Sequence, residues 1–229
     1  MTPDELPLPR AVLWDYDGTL VDTQPIWIEV EQELVARHGG TWTTGQAHAA
    51  IGLGGAEAST LLAEAIGDPA LTPAAVEQLR AHGVAERVRA EGVTPRPGVA
   101  ALMDRLADAG IRCALHTASP QHVVQPGLDR LPQTWFAAVV TGDQLTRDKP
   151  DPEGYLLAAS RLGVAAADCL VIEDSDAGAE SGRRAGAAVL AVPSVARLTP
   201  HPGQVIRPSL EGLDIAELGR IYREAFASR

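Results

Sequence analysis

The chain has 229 residues, 45% of them hydrophobic and 21% charged, the proportions of an ordinary globular protein with room for one large domain or two unequal ones. Its formal net charge of −11 argues against nucleic acid or an anionic membrane surface as the main partner. An anionic substrate stays compatible only where local cations or a metal reverse the field.

The opening "MTPDELPLPR" is acidic and proline-rich, with neither the basic leader nor the apolar core of a signal peptide. No uninterrupted apolar run approaches the ~20 residues that cross a bilayer. Cys113 and Cys169 both fall in apolar strand-like runs and read as buried free thiols, so the chain is expected to be cytoplasmic. No feature of the sequence sets an oligomeric state.

The first apolar run, "AVLWD" (11–15), leads directly into Asp17 and Gly18. From 24 to 94 the pattern turns helical ("IWIEVEQELVARHG", "EASTLLAEAIG", "PAAVEQLRAHGVAERVRAEG") with no convincing strand, and it leaves through "VTPRPG", a proline-glycine hinge. After it, apolar runs at 111–117, 136–142, 168–174 and 187–192 alternate with helical patterns at 98–110, 120–130, 152–163 and 176–186. Continuous apolar strands separated by helices predict a doubly wound, Rossmann-like α/β sheet, parallel and covered on both faces. This divides the chain into a core of residues 1–23 and 95–229 and an inserted helical cap of residues 24–94. The tail 193–208 reads as loop, and 215–227 as a closing helix.

In such sheets the functional crevice lies at the carboxyl ends of the strands, where this chain places Asp15, Thr117, and the pair Glu173 and Asp174. A strict strand would point Asp15 and Asp17 to opposite faces, but Gly18 permits a sharp departure that turns both toward one site. Two acids so close repel unless a cation or a shared proton intervenes. A hard divalent ion such as Mg²⁺ suits them, while an Asp-Gly turn is the competing reading. The spacing excludes an EF-hand loop. "HTAS" (116–119) offers the hydroxyls of Thr117 and Ser119 and the N–H groups of a helix start, a phosphate cradle or a simple Ser119 N-cap. His116 is expected as a plain strand-end residue. Of the 19 basic residues one alone is a lysine, Lys149 in "RDKPDPEG", a point charge suited to a transferring phosphoryl group. "VIEDSDAG" (171–178) sets Glu173 and Asp174 as metal-shell candidates, with helix capping by Asp174, Ser175 or Asp176 in competition.

In this order and spacing, "DYDGTLVDT", "TAS", "KPDP" and "EDSDAG" continuing into "AESGRRAG" make the chain resemble the haloacid dehalogenase-like superfamily, over about residues 10 to 192. The helical segment stands where the beta-phosphoglucomutase and phosphoglycolate phosphatase branch keeps a cap. The resemblance implies a two-step phosphoryl transfer. Asp15 would form an aspartyl-phosphate, and Asp17 would protonate the leaving oxygen and then deprotonate the incoming water. Thr117 and the Ala118 backbone would hold the phosphoryl oxygens beside Lys149. Mg²⁺ would be bound by the Asp15 carboxylate, the Asp17 backbone carbonyl and Asp174, with Glu173 adjacent.

The sequence also prunes the family. Dehalogenases proper lack the second acid, and phosphonatases use a cap lysine, whereas residues 24–94 contain no lysine. A phosphomutase needs a second phosphate site, and 50–79 contains no arginine or lysine, although Arg80, Arg87 and Arg89 follow. A stretch without basic residues suits a small phosphorylated metabolite with an uncharged distal part, a sugar or polyol phosphate. The expected activity is a Mg²⁺-dependent phosphatase. The alternatives are a sugar phosphomutase of the beta-phosphoglucomutase kind and a non-catalytic binding or regulatory protein, which would have lost a key residue where this chain keeps them all. Residues 52–55 are a candidate substrate loop or a plain helix connection, and Trp27 and Trp42 are expected in packing.

Overall fold

A computed structural model describes residues 8–51, 53–195 and 197–229; most of the N-terminal "MTPDELPLPR" and Gly52 of the candidate substrate loop lie outside the described residues. Six parallel strands form one sheet in the order β3-β2-β1-β4-β5-β6. They are β1 (Ala11–Trp14), β2 (Arg112–His116), β3 (Ala138–Val140), β4 (Cys169–Glu173), β5 (Ala188–Ala191) and β6 (Gln204–Ile206). The order reverses at β1, which pairs with β2 on one side and β4 on the other. Trp14 is level with both Leu115 and Ile172, so the next residues, Asp15, His116 and Glu173, emerge side by side at the switch point.

Alternation along β1 feeds two cores. Val12 and Trp14 pack with Leu102 and Leu106 of α5 (Val99–Asp108) and Leu218 and Ile221 of α9 (Ile215–Ala227). Ala11 and Leu13 pack with Tyr155 and Ala158 of α7 (Glu153–Arg161) and Ala179 of α8 (Asp176–Arg184). Helix α6 (Gln121–Leu128) follows β2. Among the described residues no helix is long and apolar enough to cross a membrane. Cys113 and Cys169 are buried free thiols, each pushed up to about 12 by burial.

Between β1 and α5 lie four helices, α1 (Gln24–Arg37), α2 (Thr44–Ala50), α3 (Gly55–Ile66) and α4 (Pro73–Glu91). They share their own apolar clusters, built around Leu34, Val35 and Leu62 and around Val30, Val84 and Val88. The chain leaves for α1 and returns from α4 along adjacent segments: Asp22 N–H donates to Thr94 O and Arg96 N–H to Leu20 O, both at 3.0 Å.

The structure departs from the sequence reading in two elements. The tail read as loop contains β6, three residues between Gly203 and Arg207 whose extension is set by pairing with β5 rather than by an apolar run. Helix α2 was absent from the sequence reading because it buries only Ala47 and Ala50; its signal is local, a capping box in which Thr43 and Gln46 satisfy each other's backbone N–H.

Candidate active site

The turn after β1 separates the two acids. Tyr16 O accepts from the N–H groups of Leu20 and Val21 at 3.1 Å each, and Gly18 N–H donates to Val21 O at 2.9 Å. Gly18 has φ +82°, and a Cβ there would stand 2.2 Å from Asp174 Oδ2, so both the backbone angle and the close approach require glycine. Arg96 donates to the carbonyls of Gly18 and Pro193, which ties this turn to the loop carrying Ser194.

On the β4 side lies a buried acidic cluster. Oxygen atoms of Asp15, Glu173 and Asp174 lie within 4.8 Å of one another. Lys149 Nζ bridges two of them, 2.6 Å from Asp15 Oδ1 and 2.6 Å from Glu173 Oε1. Tyr155 O–H also donates to Glu173 Oε1 at 2.7 Å, while Asp174 N–H (3.1 Å) and the Ser175 hydroxyl (3.3 Å) donate to Oε2. Asp174 accepts from Thr19 and Ser194. A Cβ at Gly178 would lie 1.9 Å from Glu173 Oε1, so helix α8 comes this close only as glycine. Ser175, one of the three capping candidates, caps that helix by accepting from Gly178 N–H at 3.1 Å.

One lysine does not balance three buried carboxylates. Burial, reinforced by Glu173, pushes the Asp15 carboxyl well above its ordinary range, against the pull of Lys149. Burial and then Glu173 push Asp174 up to about 7. Lys149 is raised as well: burial alone would lower it, but Asp15 and Glu173 raise it, and it stays charged. Asp15 Oδ2 is buried with no hydrogen-bond partner among the described residues. An orphan carboxylate oxygen beside two further acids is a donor set that a hard divalent cation fits.

Asp17 faces the other way. Its Oδ1 accepts from the Thr23 hydroxyl (2.6 Å) and Trp27 Nε1–H (3.2 Å), and its Oδ2 from Thr117 (3.3 Å) and Ser119 (2.6 Å). Ser119 therefore serves Asp17 and leaves the cap position of α6 to Pro120, contrary to the N-cap alternative. His116 lies beneath the site, its ring 4.7 Å from that of Tyr155 in an edge-on contact; burial, and then Lys149, hold it well below the usual histidine range and neutral.

Both groups open onto one cavity of about 390 Å³. Asp15, Asp17, Thr117, Ala118, Lys149 and Asp174 line its floor, while Glu173 stands behind Lys149 and Asp174. The opposite wall comes from the helical segment and includes Trp27, Ile28, Glu31, Gly55, Glu77 and Arg80. Sequence reasoning assigned Trp27 to packing and named neither Glu31 nor Tyr155. The signal was present for two of them: Thr23, Trp27 and Glu31 recur at a spacing of four, which is one face of a helix. Trp42 is buried as expected, and its Nε1–H donates to Glu31 at 3.3 Å. Of the three following arginines, Arg80 reaches the cavity, whereas Arg87 pairs on the outside with Glu29 (2.8 Å) and Glu33 (2.7 Å) and Arg89 with Glu86.

The family model described as haloacid dehalogenase-like hydrolase matches residues 9–186. The chain is 33% identical over 180 residues to a phosphorylated carbohydrates phosphatase of Thermotoga maritima, covering 77% of this chain and 82% of that protein. It is 32% identical over 212 residues to hexitol phosphatase A of Escherichia coli, covering 91% and 94%. Among solved structures, CbbY of Rhodobacter sphaeroides in complex with xylulose-(1,5)-bisphosphate superposes with a TM-score of 0.81 at 26% identity, covering 93% of this chain and 99% of that one.

Proposed function

This chain belongs to the haloacid dehalogenase-like hydrolase family and is a phosphoric monoester hydrolase, and we propose that it is a Mg²⁺-dependent phosphatase of small sugar or polyol phosphates that works through an aspartyl-phosphate. The observation that carries this reading is Asp15: one carboxylate oxygen is held by Lys149, and the other is buried without a hydrogen-bond partner among the described residues, at the end of the central strand. A nucleophile needs one free oxygen and a fixed orientation.

In the first step the Asp15 carboxylate attacks phosphorus, the ester P–O bond breaks, and the leaving oxygen takes a proton from Asp17. In the second step water attacks the aspartyl-phosphate, its proton returns to Asp17, and the Asp15–phosphorus bond breaks to release inorganic phosphate. Asp17 can carry that proton within its cage because the hydroxyls of Thr23 and Ser119 can turn from donors to acceptors, which the Trp27 N–H cannot. Thr117, the Ala118 backbone and Lys149 hold the phosphoryl oxygens. Glu173, its two oxygens engaged by four donors, keeps Lys149 aimed at Asp15. Mg²⁺ would be held by the carboxylates of Asp15 and Asp174 and the backbone carbonyl of Asp17, with Glu173 adjacent, and would supply Lewis-acid and orienting chemistry. Residues 24–94 act as a cap over the core of residues 1–23 and 95–229, closing the cavity over the substrate.

The named activities of the phosphorylated carbohydrates phosphatase and of hexitol phosphatase A support a sugar or polyol phosphate. A phosphomutase remains the second reading, favoured by Arg80 in the cavity wall and by the bisphosphate bound in the CbbY structure. Phosphate release is the test, measured on hexose, pentose, polyol and carboxylic-acid phosphates with Mg²⁺ and with a chelator. Metal-dependent release on sugar or polyol phosphates is expected. Isomerisation of a hexose 1-phosphate primed by a bisphosphate, without release, would establish the mutase instead.

A further inference from the structure

We propose that the Glu31–Arg80 ion pair is the specificity-determining element of the cavity, admitting monophosphates with a neutral hydroxylated distal end and rejecting those with a second anionic group. The inference rests on the phosphatase reading above and deepens it. Arg80 is the one basic residue that the helical segment contributes to the cavity lining among the described residues. A lone buried arginine opposite a phosphate site would ordinarily be a receptor for a distal carboxylate or phosphate.

Here its charge is already committed. Arg80 Nε lies 3.0 Å from Glu31 Oε1, with the two side chains only 13% and 6% exposed. Its Nη1 sits 3.4 Å from both Gly55 O and the Ser59 hydroxyl, and its guanidinium carbon stands 4.5 Å over the Trp27 ring. Glu31 is itself anchored from behind by Trp42. Glu77, one turn before Arg80 on the same face of α4, adds a second carboxylate to this wall. The wall thus carries two acids and one base.

A distal anion that approaches Arg80 also meets the carboxylates of Glu31 and Glu77, two acids against one base, and this charge balance opposes its binding. A sugar or polyol hydroxyl instead finds acceptors in Glu31 and Glu77 and an apolar wall at Ile28. The geometry also links this wall to the chemistry, because Trp27 presents its face to Arg80 and its N–H to Asp17. Binding energy collected at the distal end can therefore be felt by the acid that serves the leaving group.

The test uses matched substrates that differ only at the distal end: glucitol 6-phosphate against 6-phosphogluconate, and glycerol 3-phosphate against 3-phosphoglycerate. For whichever neutral member the wild type hydrolyses, the neutral-to-anionic ratio of kcat/KM is measured from phosphate release. The wild type is expected to favour the neutral member. Glu31→Gln, which keeps an acceptor for Trp42 but frees the Arg80 charge, is expected to lower that ratio about tenfold or more. Arg80→Met is expected to move it the other way or leave it high, which keeps the proposal open to refutation if Glu31→Gln misfolds. Arg87→Gln, outside the cavity, is expected to leave the ratio unchanged. A wild type that prefers the anionic member, an unchanged ratio in Glu31→Gln, or a lowered ratio in Arg80→Met each overturns the gate. Absence of metal-dependent release from every compound overturns the phosphatase reading instead.

Discussion

The floor and the far wall of the cavity are built on opposite plans. The floor hangs on the ends of three adjacent parallel strands, and the groups around Asp15 are each held by several partners: Glu173 by four donors, Asp17 by four, and Lys149 by two carboxylates. The wall hangs on the faces of α1 and α4, and it carries one ion pair, Glu31 with Arg80, with Glu77 beside it. Strand ends of a doubly wound sheet are fixed by the whole core, so they can carry groups that must not move. Helix faces in the smaller apolar clusters of the cap can exchange a side chain without disturbing the sheet. The division predicts that changes to the floor abolish turnover, while changes to the wall redirect it.

The largest effect is expected at Asp15. Asp15→Asn removes the carboxylate proposed as nucleophile and should reduce phosphate release by about 10⁴-fold or more, while circular dichroism shows a folded protein. Lys149→Met should be nearly as damaging to turnover and worse for the fold. It leaves Asp15, Glu173 and Asp174 buried without their cation, a loss of about 3–5 kcal/mol in a urea titration. Added Mg²⁺ should restore part of that stability, and the restoration should vanish when Asp174 is also changed to Asn. A Lys149→Met protein as stable as the wild type would show that the floor is not under the electrostatic load described.

Intermediate effects should mark the seam between floor and wall. Trp27→Phe keeps a ring under Arg80 but removes the N–H to Asp17. Losing one hydrogen bond to a charged group is worth about 1.5–3 kcal/mol, so kcat should fall more than tenfold with a smaller change in KM. A change confined to KM would mean that Trp27 serves only the wall.

The smallest effect concerns pH and the floor's underside. His116 is held neutral in the folded protein far below its ordinary 6.5 and gains a proton on unfolding below that value. The unfolded state then binds more protons, so stability is present above about pH 6.5 and is lost as pH falls beneath it, by at most about 1.4 kcal/mol per unit for one group. Asp15 and Asp174, whose carboxyls are raised in the folded protein, contribute with the opposite sign over the same window, so the prediction is a difference: as pH falls from 7 to 5 the wild type should lose stability relative to His116→Gln. Equal slopes would remove His116 from the account.

How much of this was legible in the sequence follows the same division. The strands of the core announce themselves as continuous apolar runs, and the groups of the floor follow those runs directly, so Asp15, Thr117, Glu173 and Asp174 could be read as strand-end residues. Lys149 stood out because every other basic residue is an arginine. The wall was less legible, because its residues are brought together by the packing of α1 on α4, far apart in sequence. The absence of basic residues over 50–79 suggests a distal site without a cation, yet Arg80, the very next residue, enters the cavity. Its charge is offset there by Glu31. Tyr155 was hidden for a related reason, since a tyrosine in an apolar helix reads as core and its hydroxyl contact to Glu173 depends on how α7 packs on the sheet. Strand β6 escaped because three residues paired at a sheet edge carry no periodic signal.

The most direct test of the central claim is acid-quenched mass spectrometry of the wild-type protein during steady turnover of a sugar or polyol phosphate that it hydrolyses. The account expects a phosphoryl adduct on the peptide containing Asp15, formed with Mg²⁺, absent with chelator, and absent from Asp15→Asn. Sustained phosphate release from an Asp15→Asn protein, or an adduct carried by any other residue, would contradict it.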